Sequence, residues 1–143
     1  MTEFSHEIGT EEYLALRRSA GFTELPPEEA AEGLAHTCFC VCARENGRAI
    51  GFARLLWDRG YIAFLSDVIV EESYRGQGLG RALVERCIDA LKSGMKKGWR
   101  VKIYLAAAQG KEGFYEKLGF SVRPNDHAGA GMDKWFVEGE EDT

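Results

Sequence analysis

A chain of 143 residues, 45% hydrophobic and 29% charged, has the length and apolar content of one packed domain, which excludes a disordered tail protein and a collagen-like one. Its net charge of −5 argues against a general nucleic-acid binder, which needs a basic surplus to displace counterions, so an anionic ligand would need a local site. No stretch approaches the ~20 apolar residues of a membrane span, and the first residues lack the basic-then-apolar order of a signal peptide. A cytoplasmic protein with no membrane partner is expected.

The first helix is predicted from Glu11 to Ala20, where Tyr13, Leu14, Leu16 and Arg17 recur at helical spacing and Gly21 gives the stop. Pro26 and Pro27 followed by Glu28 and Glu29 open a second, short helix, because proline suits a first turn and acids suit the positive end of the helix. Thr37 to Arg44 reads as a strand, Asn46-Gly47 as a two-residue hairpin turn and Ala49 to Trp57 as the returning strand. After a turn at Asp58-Arg59-Gly60, Tyr61 to Val70 reads as another strand, with its apolar end (Val68, Ile69, Val70) buried on both faces.

Leu79 to Leu91 carries the clearest helical stripe, and Val101 to Leu105 reads as a strand after it, so strand, helix and strand require some parallel pairing. Glu112 to Leu118 is predicted as a short helix closed by Gly119, Met132 to Val137 as a last strand, and residues 138–143 as a frayed acidic tail. One domain over residues 1–143 is expected, without repeat or linker.

His36, Cys38, Cys40 and Cys42 share strand parity and suggest a metal site. Successive members of such a row lie ~6.8 Å apart, too far to share one zinc shell, so a buried face of small apolar side chains is expected and no metal. Trp57, Tyr61 and Phe64 cluster around one hairpin, either as sheet packing or as an aromatic wall.

The chemistry sits in the stretch from Val68 through Arg75, Gly76, Gln77, Gly78, Leu79, Gly80 and Arg81. A strand feeds a glycine-rich turn that opens the best helix, so unpaired backbone N–H groups converge where the helix dipole is positive, and Arg75 and Arg81 add charge. A dinucleotide fingerprint beginning at Gly76 requires glycine at position 81, which is Arg81, and a Walker A loop requires Gly-Lys-Ser/Thr, which is absent. The plain alternative is a tight connection with no ligand. Three alternate glycines cost about 1 kcal/mol each relative to alanine in helix-like backbone, and a bound anion would offset that.

Arg75-Gly76-Gln77-Gly78-Leu79-Gly80 resembles the R/Q-x-x-G-x-G/A signature of the GNAT superfamily of N-acetyltransferases, and the block Phe114 to Phe120 is similar to its second conserved segment. The resemblance runs from about Thr37 to Phe120. It implies an α/β (α+β) fold: a mixed, mostly antiparallel central sheet with splayed fourth and fifth strands and about four helices. Acetyl-CoA would enter the splay as co-substrate, its pantetheine pairing with the backbone of Val68, Ile69 and Val70 and its pyrophosphate resting on the turn from Arg75 to Arg81.

The same resemblance makes Tyr115, beside Phe114, the proton donor to the departing thiolate. Many members carry an asparagine seven residues before that tyrosine; here the place is Ala108, which leaves Gln109 to replace the amide and Lys111 to reach a phosphate. A base for the amine is less defined: Asp67 on the splayed strand, Glu24 in the loop between the first two helices, or a water chain. The implied reaction is acetylation of a primary amine, with a small-molecule acceptor favoured over a protein or peptide amine. A non-catalytic acetyl-CoA sensor is the rival, and homodimers are common in the family.

Overall fold

The computed structural model of the chain describes residues 1–140, and these form two compact units, one from Met1 to Leu105 and one that begins at Ala106. The first unit is built on a five-stranded sheet in the order β1 (Thr2–Ser5), β2 (Phe39–Glu45), β3 (Arg48–Trp57), β4 (Ile62–Val70) and β5 (Lys102–Tyr104). The first four strands pair antiparallel, and β5 pairs parallel to β4. That parallel pair is the one the strand-helix-strand order requires, since α3 (Leu79–Gly94) connects its members.

Asn46 and Gly47 both take positive φ, 52° and 81°, and the tight turn they form sets the β2–β3 register. β1 has no counterpart in the sequence reading. It is four residues long, and its pairing with Cys42–Glu45 is pinned by the terminal ammonium, 2.8 Å from the Glu45 carboxylate, which hydropathy does not reveal.

Two helices, α1 (Thr10–Ser19) and α2 (Pro27–Ala35), precede β2. Glu11 and Glu12 in the first turn of α1 and Arg17 and Arg18 in its last complement the helix dipole. Its buried residues Tyr13, Leu14 and Leu16 pack with Ala30 of α2 and with Cys42, Phe52 and Ile69 of the sheet. Cys42 and Phe52 are cross-strand partners, so that face of the sheet is shared by two neighbouring strands.

The opposite face carries Val41 and Ala53, also partners, and receives α3 through Leu83, Val84, Cys87 and Leu91, all buried. Each such side chain contributes roughly 1.5–3 kcal/mol on burial, so the apolar stripe rather than intrinsic propensity holds α3 in place. Gly51 permits the approach: a Cβ there would lie 3.1 Å from Leu83 Cδ1 and 3.2 Å from the Ile69 carbonyl.

Two expectations need correction, and one of two alternatives is removed. Met132 to Val137 forms no strand; Met132 is 95% exposed and Trp135 70%. Its aromatic and β-branched composition suits a strand, but a strand forms only where a ladder partner accepts it, and among the described residues no strand pairs with it. His36 is the C-cap of α2 and Cys38 precedes β2, so of the four residues thought to share a face only Cys40 and Cys42 do. The register places Phe64 opposite Leu56 and Trp57 opposite Ala63, which sends Trp57 and Phe64 to different faces rather than one wall. Residues 141–143 of the acidic tail lie outside the described residues.

Candidate active site

β5 pairs with β4 only at Ile62, Ala63 and Phe64, so from Leu65 to Val70 no strand among the described residues meets that edge of β4. This is the splay: a row of backbone donors and acceptors on the edge of an otherwise paired strand.

Halfway along the open edge the strand bulges. Phe52 faces Ile69 and Arg54 faces Ser66, so β4 spends one residue more than β3 between the same two points, and Asp67 takes a φ of 53°. Aspartate tolerates this left-handed conformation better than most residues.

The bulge turns the Asp67 carboxylate into a nearly buried cluster, with 7% of its side chain exposed. Oδ1 accepts from Arg17 Nη1 at 2.9 Å; Oδ2 accepts from Arg54 Nε at 2.8 Å and from the Tyr13 hydroxyl at 2.5 Å. Arg54 also donates to the Thr37 hydroxyl and Arg17 to the Thr23 carbonyl, while Arg17 Nε is buried without a hydrogen-bond partner among the described residues. Burial first, and then the bond to Asp67, pushes the Tyr13 phenol up to about 12.

This arrangement engages Asp67, the first of the expected bases, on every side. A carboxylate that accepts from two guanidiniums and a phenol has both oxygens already engaged. It fixes α1 and β3 against the bulge. Glu24, the second candidate base, is exposed and paired with Arg18 at 3.1 Å.

Sequence reasoning missed Tyr13, Arg17 and Arg54 as a set. The available signal was Arg54, a charge in the middle of the apolar run from Ala49 to Trp57, since an arginine buried there requires a partner.

Past Val70 the chain makes a single 3-10 turn, Glu72–Tyr74, and reaches the glycine-rich segment. Gly76 and Gly78 take φ of 79° and 81°, and Cβ atoms built on either meet nothing within 4 Å. Backbone conformation alone therefore demands glycine at these two positions. Gly78 is the N-cap of α3, and α3 has no side-chain cap and no acid in its first turn, whereas α1 and α2 each carry two acids there. The leading N–H groups are thus left to another acceptor.

Arg75, Gly76, Gln77 and Gly78 are exposed; Leu79 and Gly80 begin the helix. Arg75 Nε is committed to the Val70 carbonyl at 3.0 Å, which ties the turn back to the open edge. Arg81 pairs along the helix with Glu85 at 2.6 Å.

The remaining predicted residues belong to the second unit. Gln109 and Lys111 are exposed ahead of α4 (Glu112–Glu116), with Gly110 at a φ of 84° between them. Tyr115 is half-buried among aromatic rings, its centroid 4.9 Å from Phe114 and 6.0 Å from Phe120, both edge-on. Burial raises its phenol above the ordinary value of 10, so it remains protonated at neutral pH. Among the described residues no group of three His, Cys, Asp or Glu could hold a metal ion, and no helix is long and apolar enough to cross a membrane.

The open β4 edge, the bulge and the acid-free start of α3 can be set beside known proteins. The profile described as "Acetyltransferase (GNAT) domain" matches residues 35–122, which include both sequence blocks. The chain belongs to the GNAT acetyltransferase family.

Serotonin N-acetyltransferase 2 of Oryza sativa is 42% identical over 79 residues, 55% of this chain and 38% of that one. Glucosamine 6-phosphate N-acetyltransferase of Trypanosoma brucei is 38% identical over 85 residues, 55% of each. The chain thus spans about half, or less, of the length of these curated relatives. Among solved structures, SA2161 from meticillin-resistant Staphylococcus aureus is 28% identical with a TM-score of 0.83, covering 94% of this chain and all of that one. The fold and family are those of an acetyl-transferring enzyme.

Proposed function

We propose that this GNAT domain transfers the acetyl group of acetyl-CoA directly to a primary amine of a small molecule in the cytoplasm. The observation that carries the cofactor part is the start of α3: a positive dipole end with no acidic cap, entered through two positive-φ glycines and joined by Arg75 to the unpaired edge of β4. That edge suits an extended amide-bearing chain, and Val68, Ile69 and Val70 are the residues assigned to the pantetheine arm. The pyrophosphate is assigned to the turn from Arg75 to Arg81, with Gln109, Lys111 and Phe114 as further contacts.

When bound, acetyl-CoA supplies a thioester carbonyl for attack by the amine. A backbone N–H of the β4 edge serves the oxyanion, and Tyr115 protonates the departing thiolate. The family's tyrosine position and a phenol kept neutral by burial support that role. An alkylamine of pKa ~10.4 is neutral in about one molecule in 2,500 at pH 7, so its proton must leave. With the Asp67 carboxylate already taken by Arg17, Arg54 and Tyr13, water is the assigned acceptor, and Asp67 is a positioning residue.

Relatives named for serotonin and for glucosamine 6-phosphate accord with a small amine, while one named as a histone acetyltransferase, of Glycine max and 39% identical over 80 residues, keeps a protein amine as the second reading. The test is release of free thiol from acetyl-CoA over a panel of amines, repeated with Tyr115→Phe. The proposal expects amine-dependent release, with kcat reduced by roughly 10²–10⁴ in the variant and acetyl-CoA binding retained. Equal rates in the two proteins would remove Tyr115 from the reaction, and no release with any amine would remove the acetyl transfer.

A further inference from the structure

The sheet face that receives α1 and α2 is covered over only part of its length. Cys40, Cys42, Phe52 and Ile69 pack with the two helices. Arg54, the next residue of β3 on that face, reaches the Gly33 carbonyl in α2 and the Thr37 hydroxyl just past it. Beyond Arg54 the face carries Leu56, its β4 partner Phe64, and Ile62 one alternation further; these are 36%, 39% and 38% exposed. Phe64 pairs in turn with Tyr104 of β5, so Leu56, Phe64 and Tyr104 form one row across three neighbouring strands. With strands ~4.8 Å apart the row is about 10 Å wide, room for one aromatic group. Exposed apolar side chains scattered singly need no explanation, whereas a contiguous row marks an interaction site.

The row stands at the closed end of the splay. Phe64 is the last residue of β4 paired with β5, and Leu65 is the first of the open edge. The segments assigned to acetyl-CoA run down β4 from the turn at Arg75 to Val68, so the residues that follow, Asp67, Ser66 and then Phe64, border the place of transfer. Ser66 is the partner of Arg54 and shares the face of Phe64, ~6.8 Å from it along the strand, a step that a two-carbon arm between ring and nitrogen spans.

Charge and polarity narrow the acceptor further. Arg17 and Arg54 share the single carboxylate of Asp67, so the cluster beside Leu56 and Ser66 keeps one positive charge in excess. A second ammonium on the acceptor would be repelled there, which disfavours diamines and polyamines. An apolar row likewise leaves the hydroxyls of a sugar without partners, which costs free energy on burial.

We infer, resting on the acetyl-transfer reading above, that the acceptor is an arylalkylamine with one amine: its ring lies on Leu56, Ile62 and Phe64, and its short arm brings the nitrogen to the bulge at Ser66 and Asp67. Leu56 and Phe64 are then specificity-determining residues.

The test is thiol release from acetyl-CoA by the full chain, comparing kcat/KM for 2-phenylethylamine with that for butylamine, which has the primary amine without the ring. Spermidine and glucosamine 6-phosphate are the further acceptors. Burial of the ring should raise kcat/KM roughly 10- to 100-fold over butylamine. Phe64→Ser should cut that ratio roughly fivefold or more, and Leu56→Ser, on the neighbouring strand, should cut it too. Equal or better use of butylamine, spermidine or glucosamine 6-phosphate, or a ratio unchanged in both variants, would overturn the arylalkylamine assignment and leave acetyl transfer standing. Release with none of the four would overturn acetyl transfer and the assignment with it.

Discussion

Replacing Asp67 with asparagine keeps the shape of the side chain and an acceptor for Tyr13 but removes the charge shared by Arg17 and Arg54. Those side chains are 11% and 17% exposed, so neither guanidinium regains full hydration when its partner is lost. Breaking a buried ion pair from one side costs about 3–5 kcal/mol, against roughly 1 kcal/mol for an exposed pair. The lower end of that range applies, because Arg17 keeps the Thr23 carbonyl and Arg54 the Thr37 hydroxyl. With a urea slope of about 2 kcal/mol/M, a loss of about 3 kcal/mol moves the unfolding midpoint down by about 1.5 M. Equilibrium urea unfolding of both proteins measures it. A change under about 0.3 M would mean that the cluster is hydrated and that Asp67 is free for other work, including proton transfer, and would refute the positioning role.

Three further outcomes follow from the same geometry. The Tyr13 phenol is raised to about 12 in the folded protein against 10 unfolded, so its protonated form favours folding; that contribution is complete below pH 10 and is lost between pH 10 and about 12. Tyr13→Phe should therefore flatten the fall in stability across that window, as read by urea unfolding at stepped pH. Gly51→Ala should destabilise by roughly 1–3 kcal/mol, because the new methyl would meet Leu83 Cδ1 at 3.1 Å and the Ile69 carbonyl at 3.2 Å; thermal unfolding reads it, and a neutral result would show that α3 can shift. Because burial raises the Tyr115 phenol above 10, kcat should show no alkaline fall below pH 10 from loss of its proton, and a fall centred near pH 8 or 9 would assign that titration elsewhere.

The strands β2, β3 and β4 and the helices α1, α2 and α3 were legible because each carries a periodic apolar pattern or a terminal signal of its own, such as Asn46-Gly47 or the stripe from Leu83 to Leu91. β1 was not, because four residues held by edge pairing and a terminal ammonium leave no period to read. Met132 to Val137 failed in the opposite sense: the composition is right for a strand, and composition does not supply a ladder partner.

At the site, the glycine turn was visible because Gly76 and Gly78 answer a backbone demand that few other residues meet. The Asp67 cluster was hidden because it joins residues up to 54 positions apart through a bulge whose place depends on the β3–β4 register. Sequence located the carboxylate on the splayed strand and left open which way it faces. The bulge decides that, and the positioning role proposed for Asp67 rests on it.

The most direct test of the account is thermal unfolding of the full chain with and without acetyl-CoA, beside Gly78→Glu, which places both a left-handed strain and a negative charge at the start of α3. At about 100 times its dissociation constant the ligand should add about 2.7 kcal/mol, a rise of roughly 9 °C for a chain of this length, and the variant should lose that rise. No rise in wild type at millimolar acetyl-CoA, or an equal rise in the variant, would contradict the cofactor site proposed here.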